Sequence, residues 1–123
     1  MDQLNRAKEP LTLNVRRLSS FWPRLRGLLG SEPLTANDWV WIVPCRQVHT
    51  FGMRYSIDVV HLDRSGRVLI VETLAPWRLG RYNKESHSVV ELGEGAVGRV
   101  GIAPGMCPFL RVEGAGVRQD DVD

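Results

Sequence analysis

The stretch that most constrains this chain is Ile57-Asp-Val-Val-His-Leu-Asp-Arg-Ser-Gly-Arg-Val-Leu-Ile-Val-Glu72. Two apolar, β-branched runs, each too short for a helix, flank Asp63-Arg-Ser-Gly66, which reads as a type I turn with glycine at its left-handed position. This predicts a central hairpin whose return strand, Val68 to Val71, is buried on both faces. Upstream the pattern has period two. The odd positions His49, Phe51, Met53, Tyr55, Ile57 and Val59 are largely apolar, whereas Thr50, Gly52, Arg54, Ser56 and Asp58 are small or polar. Alternation marks a half-buried strand, so Val48 to Leu62 reads as one long extended segment that enters a core at Asp58. Gly52 is placed to bend it through a bulge.

The rest of the chain supports the same class. Leu11, Leu13 and Val15 alternate with polar residues as a short strand. Phe21, Trp22, Leu25, Leu28 and Leu29 then fall on one helical face, with Ser19 or Ser20 as N-cap, Pro23 in the first turn and Gly30 at the C-terminus. Trp39 to Val43 is a strand stopped by Pro44. Ser88 to Leu92 is another, followed by a glycine-rich connector with one helical turn near 95–101, a turn at Pro104-Gly105 and a last strand from Phe109 to Val112. The fold expected is a β-rich α+β domain: a small mixed, barrel-like sheet with one short N-terminal core-packing helix. It occupies 11–113, between polar tails at 1–10 and 114–123.

Composition narrows the function classes. A chain of 123 residues with 43% hydrophobic and 24% charged residues is the size of one domain. The formal charge is only +2, which with the absence of a basic tract argues against a nucleic-acid binder. No run approaches the roughly 18 apolar residues of a membrane span. Cys45 and Cys107 do not make a disulfide framework, and the opening MDQLNRAKEP lacks a signal-peptide core, so a cytoplasmic protein with reduced thiols is expected. The basic residues are fourteen Arg and two Lys. Six of those Arg lie between residues 11 and 54, where Glu32 and Asp38 are the only acids, and Arg is the planar fork suited to carboxylate or phosphate.

Three constellations invite a chemical reading. Gly93-Glu-Gly-Ala-Val-Gly98 spells a dinucleotide fingerprint, but Pro104 and Gly105 end any following helix and the βαβ context fails, so the glycines read as turn residues. Cys45, His49 and Asp58 are the residue types of a thiol nucleophile, base and orienting carboxylate. On an extended strand Asp58 lies roughly 30 Å from His49 and on the opposite face, so a triad requires a sharp bend at Gly52. Cys45 and His49 lack further ligands for a metal. The third constellation is the polar row Thr50, Arg54, Ser56 and Asp58. A carboxylate at the mouth of an apolar strand must find donors, from an Arg such as Arg78 or from the backbone. The loop Ala75 to Tyr82 adds the ligand-capable Trp77, Arg78 and Arg81.

Arg26-Gly-Leu-Leu-Gly30, Pro44-Cys-x-x-Val-His-Thr-Phe-Gly-Met-Arg54, Ile57-Asp-Val-Val60, Asp63-x-x-Gly66, Pro76-Trp-Arg78 and Glu91-Leu92, in that order, resemble the domain-of-unknown-function 192 family over about residues 12–113. The resemblance implies a small β-rich, barrel-like mixed sheet with few helices and brings no settled activity. Many relatives resemble secreted or periplasmic proteins. Another branch of the family looks to carry an FWMKNT-like segment where this chain has His49 to Arg54, which makes His49 a poor choice for shared chemistry. Where the family often resembles Gly-Asp before the last strand, this chain has Gly105-Met106.

The leading expectation is therefore a non-catalytic binding module in which Thr50, Arg54, Ser56, Asp58, Trp77 and Arg78 hold a small polar or anionic ligand or a peptide. The rivals are a hydrolase- or transferase-like enzyme using Cys45, His49 and Asp58, and an interaction protein with no small-molecule ligand. No cofactor or metal is implied.

Overall fold

In the computed structural model, the residues described are 14–19, 33–35, 37–111 and 117–118. The hairpin forms where its turn residues place it. The Asp63 carboxylate accepts the Ser65 N–H (2.9 Å), the Ser65 hydroxyl (2.7 Å) and the Arg67 N–H (3.0 Å), and Gly66 takes the left-handed φ of 86°. These bonds, led by the Ser65 hydroxyl, hold the Asp63 carboxyl below its usual range. The turn joins β3 (Ile57–Leu62) to β4 (Val68–Leu74) in antiparallel register from Ile57 opposite Leu74, with a bulge at His61/Leu62.

The other strands are β1 (Asn14–Leu18), β2 (Asp38–Ile42), β5 (Ser88–Gly93) and β6 (Val117–Arg118), with two short helices, α1 (Ala96–Val100) and α2 (Pro108–Arg111). They form one mixed sheet of order β4-β3-β5-β2-β1-β6. β1 runs parallel to β2 and β6, and the remaining neighbours are antiparallel. Among the described residues the sheet is open, with β4 and β6 at its ends, rather than closed as a barrel. The helix expected over Phe21 to Leu29 lies outside the described residues, as do Leu11 and Leu13. Val117–Arg118, inside the stretch read as a tail, pairs with β1.

Both sheet faces are covered. Leu18, Val40, Ile42, Ile57, Val59 and Val89 pack on one, together with Cys45, Val48 and Met53. Val15, Trp39, Val60, Leu62, Val90 and Leu92 pack on the other, beneath α1 and Ile102. β3 and β5 are therefore buried at every position, as the apolar residues on both sides of β3 require. β4 departs from expectation: as an edge strand, its Leu69, Ile70 and Val71 are only half-buried.

Two further readings are corrected. Phe109 begins no strand. Pro108 opens the helical turn α2, and the Phe109 ring rests on Trp41 at 4.8 Å and Trp39 at 5.9 Å between centroids. The long strand from Val48 also does not exist, because only Ile57–Leu62 is strand. Residues 45–50 peel away to run antiparallel to 78–87, through Cys45 N–H to the His87 carbonyl (3.0 Å), Gly80 N–H to the Val48 carbonyl (2.9 Å) and Thr50 N–H to the Arg78 carbonyl (2.8 Å). The chain then folds back at Gly52, with φ 86°, and the Met53 N–H donates to the Thr50 carbonyl at 3.0 Å. A glycine in the left-handed region turned an apparent strand into an arm laid over the first face.

Of the glycines in the fingerprint-like motif, Gly93 has a packing role and Gly95 a conformational one. A Cβ on Gly93 would stand 2.6 Å from the Leu34 carbonyl oxygen, and Gly95 takes φ 88° at the start of α1. Gly80 lies equally close under the arm, where a Cβ would sit 2.9 Å from Glu72 Oε2 and 3.1 Å from the Val48 carbonyl oxygen.

Candidate functional site

Where the arm ends, Thr50 ties two loops together. It is fully buried, and its hydroxyl donates to the Ala75 carbonyl (2.6 Å) and accepts the Arg78 N–H (2.8 Å). Its carbonyl accepts the Trp77 N–H at 3.0 Å. These bonds fix Trp77 at φ 61°, the only positive φ of a non-glycine among the described residues. A bulky residue in that region is uncommon and strained, and such strain persists only where its surroundings over-determine it. Pro76 precedes Trp77 and limits the backbone on that side.

The loops carry a contiguous apolar strip. His49 lies opposite Leu79 in an antiparallel bridge, so their side chains share one side of the arm. The His49 ring stacks on Phe51 (4.6 Å, 25°), and Phe51 stacks on Trp77 (6.3 Å, 27°). The Phe51 N–H donates to His49 Nδ1 at 3.1 Å, locking the first pair. Phe51, Trp77, Leu79 and Tyr82 are the exposed large hydrophobic residues among those described, at 44%, 64%, 61% and 60%. All four lie in 44–56 or 75–84. Those two stretches hold Arg46, Arg54, Arg78, Arg81 and Lys84 and not one Asp or Glu. Among the described residues, the Arg54 and Arg81 guanidinium groups have no carboxylate partner, and Arg78 reaches only the Trp77 carbonyl, at 3.5 Å.

The structure separates the residues that alternation had aligned. Thr50 is a buried tie, Arg54 is exposed, Ser56 is half-buried, and Asp58 points to the other sheet face. The polar row is dissolved because 50–56 is a loop and not a strand. Asp58 is 3% exposed; its Oδ2 accepts the Gly95 N–H (3.0 Å) and the Val97 N–H (3.1 Å), and its Oδ1 accepts the Thr73 hydroxyl (2.9 Å). It caps α1, with backbone donors in place of the Arg78 considered from sequence. With its acceptors so engaged it orients neither His49 nor Cys45, which removes the carboxylate from the thiol triad. Cys45 is buried, and its Sγ donates to the Gln47 carbonyl at 3.3 Å.

Sequence reading overlooked Phe51, Leu79 and Tyr82 as surface residues. The signal was there: four large apolar side chains in turn-rich stretches free of acids. It also overlooked a polar set beneath the arm. His61 is fully buried with its Nε2 3.7 Å from Glu72 Oε2, and that oxygen also accepts the Arg81 N–H at 3.0 Å. Burial pushes the His61 pKa below its usual value, and the neighbouring Glu72 offsets part of that. Glu91, also fully buried, lies one row away on β5, opposite Val59 and Val40. No group of three or more His, Cys, Asp or Glu among the described residues is arranged to hold a metal ion.

Comparison with known proteins agrees with this architecture. The UPF0127 protein PH1112 of Pyrococcus horikoshii is 41% identical over 68 residues, 53% of this chain; the match spans 59% of that relative's length. A protein of unknown function from Novosphingobium aromaticivorans superposes with a TM-score of 0.64 at 16% identity, over 74% of this chain and 70% of its own. A putative transcription regulator from Sinorhizobium meliloti gives 0.63 at 18% identity, over 74% and 76%. At such identities these two structures share the fold alone. The profile of the DUF192 family, described as "Uncharacterized ACR", matches residues 3–107. The chain belongs to the DUF192 family.

Proposed function

We propose that this protein is a non-catalytic, single-domain binding module whose recognition surface is the Thr50-tied loop pair, with Arg54, Arg78 and the Phe51–Trp77 stack meeting a partner that carries negative charge beside apolar surface. The observation that carries this reading is Trp77: a large aromatic held at a positive φ by the bonds around Thr50, yet left 64% exposed. A strained, exposed aromatic adds little to the core, so its conformation favours a role outward from the fold. Arg54 and Arg78 supply the sign of the partner's charge. Asp58 and Thr50 belong to the scaffold in this reading, and Ser56 is peripheral to it. Cys45 and Cys107 stand unbridged, in keeping with a reducing, cytoplasmic setting.

The test is an amide-resolved NMR titration with decanoate, a small anion with an apolar tail. Shifts are expected to concentrate at 49–54 and 77–82 and to vanish in Trp77→Ala. Shifts centred on the hairpin tip at 63–66, or no shifts, would overturn the assignment.

A further inference from the structure

We infer that the loop pair docks on a lipid bilayer surface bearing anionic headgroups, with Phe51, Trp77 and Leu79 entering the interface and Arg54, Arg78 and Arg81 meeting the headgroups. This rests on the binding-module reading above and names its partner.

Three observations favour a bilayer. First, the apolar strip is continuous and stands outward: Leu79 lies beside His49, His49 stacks on Phe51, and Phe51 stacks on Trp77. A peptide is more commonly received in a groove or along a sheet edge. A cleft of about 510 Å³ lies away from the strip, at the hairpin tip among Arg46, Asp63, Arg64, Lys84 and Glu85, and none of Phe51, Trp77, Leu79 and Tyr82 lines it. Second, the strip mixes aromatic rings with an aliphatic side chain. Stacking platforms for bases need open ring faces, but here Phe51 lies between two other rings and Leu79 offers no π-face. Trp, Phe and Leu beside Arg is the composition of an interfacial anchor. Third, the electrostatics favour an anion. Arg54, Arg78 and Arg81 lie in two stretches without a carboxylate of their own, and the Arg54 and Arg81 guanidinium groups have no carboxylate partner among the described residues, so a negatively charged surface is attracted.

The loop backbone is already tied: Thr50 holds the Trp77 and Arg78 amides, which lowers the ordering cost on contact. Among the described residues no helix is long and apolar enough to cross a membrane. The contact is thus peripheral and reversible, as expected for a few side chains reaching the headgroup boundary.

The experiment is co-sedimentation of the full chain with vesicles of phosphatidylcholine alone and of phosphatidylcholine mixed with an equal part of phosphatidylglycerol. Poly-glutamate and single-stranded poly-dT are assayed in parallel. Binding is expected on the mixed vesicles and not on phosphatidylcholine alone, and it should fall as added salt shortens the Debye length. Arg54→Gln and Arg78→Gln should each lower partitioning about fivefold. Trp77→Ala should lower it about tenfold. Arg64→Gln, at the hairpin tip, should leave it unchanged. All four side chains are exposed, and circular dichroism checks that each variant is folded.

No binding to mixed vesicles, or binding indifferent to Trp77 and the arginines, overturns the inference. Capture of poly-glutamate or poly-dT with the same variant pattern, without vesicle binding, overturns the bilayer while the binding-module reading stands. Failure of every probe together with a silent decanoate titration removes both.

Discussion

The Trp77 N–H donates to the Thr50 carbonyl at 3.0 Å, and the next amide, Arg78 N–H, donates to the Thr50 hydroxyl at 2.8 Å. One buried threonine thereby holds a tryptophan at φ 61°. A β-carbon in the left-handed region costs about 1–2 kcal/mol, from which glycine is exempt. Trp77→Gly is therefore expected to be more stable than Trp77→Ala by about 1 kcal/mol, although both lack the indole of the proposed surface. Urea unfolding of the pair measures it, and equal midpoints would show that the backbone at residue 77 stores no strain.

Asp58 is predicted to be a determinant of stability and not of binding. Removing its buried carboxylate leaves the part-buried Gly95 and Val97 N–H groups and the Thr73 hydroxyl without their acceptor. Asp58→Ala is expected to cost about 1–3 kcal/mol, and Asp58→Asn, which keeps one carbonyl acceptor, less. Chemical denaturation gives the order. If Asp58→Ala unfolds like the wild type and loses decanoate or vesicle binding instead, Asp58 belongs to the surface site.

His61 makes stability depend on pH in a stated direction. Burial lowers its pKa from the usual 6.5, so the folded protein resists protonation that the unfolded chain accepts. Its contribution is complete above about pH 6.5, falls as the pH drops below that value, and stops falling only beneath the lowered folded pKa. Glu72, 3.7 Å away, moderates the effect. In His61→Leu this part of the acid sensitivity should disappear, as followed by thermal unfolding across the window.

The two thiols should differ in reactivity. Cys45 is 9% exposed with its Sγ bonded to the Gln47 carbonyl, whereas Cys107 is half-buried. Iodoacetamide at neutral pH is expected to label Cys107 first and Cys45 only as the protein opens, with mass spectrometry reading the order. Fast labelling of Cys45 in the folded state would revive a thiol nucleophile.

Short-range chemistry was enough to specify the hairpin. Asp63 and Gly66 make their turn with their own neighbours, and Val60 and Leu62 beside Ile57 and Val59 leave β3 no exposed side. The helical turn at 96–100 and the strands at 38–42 and 88–93 follow equally from local glycines and β-branched residues. That Trp77 and Arg78 lie in an exposed loop is legible for the same reason, because loop composition is a local property. Long-range contacts decided the rest. Alternation from His49 to Asp58 is consistent with a strand until Thr50 bonds to residues 75–78 and Gly52 reverses the chain, and neither event is encoded in the period. Asp58 announced that it needed donors, but only the packing of α1 against β3 identified them as amides rather than arginines. The order of strands, and with it the half-burial of β4 and the outward strip of Phe51, Trp77 and Leu79, depends on which edges meet across the sheet. Hydrogen-bond pairing between distant segments sets that, and no local pattern reports it.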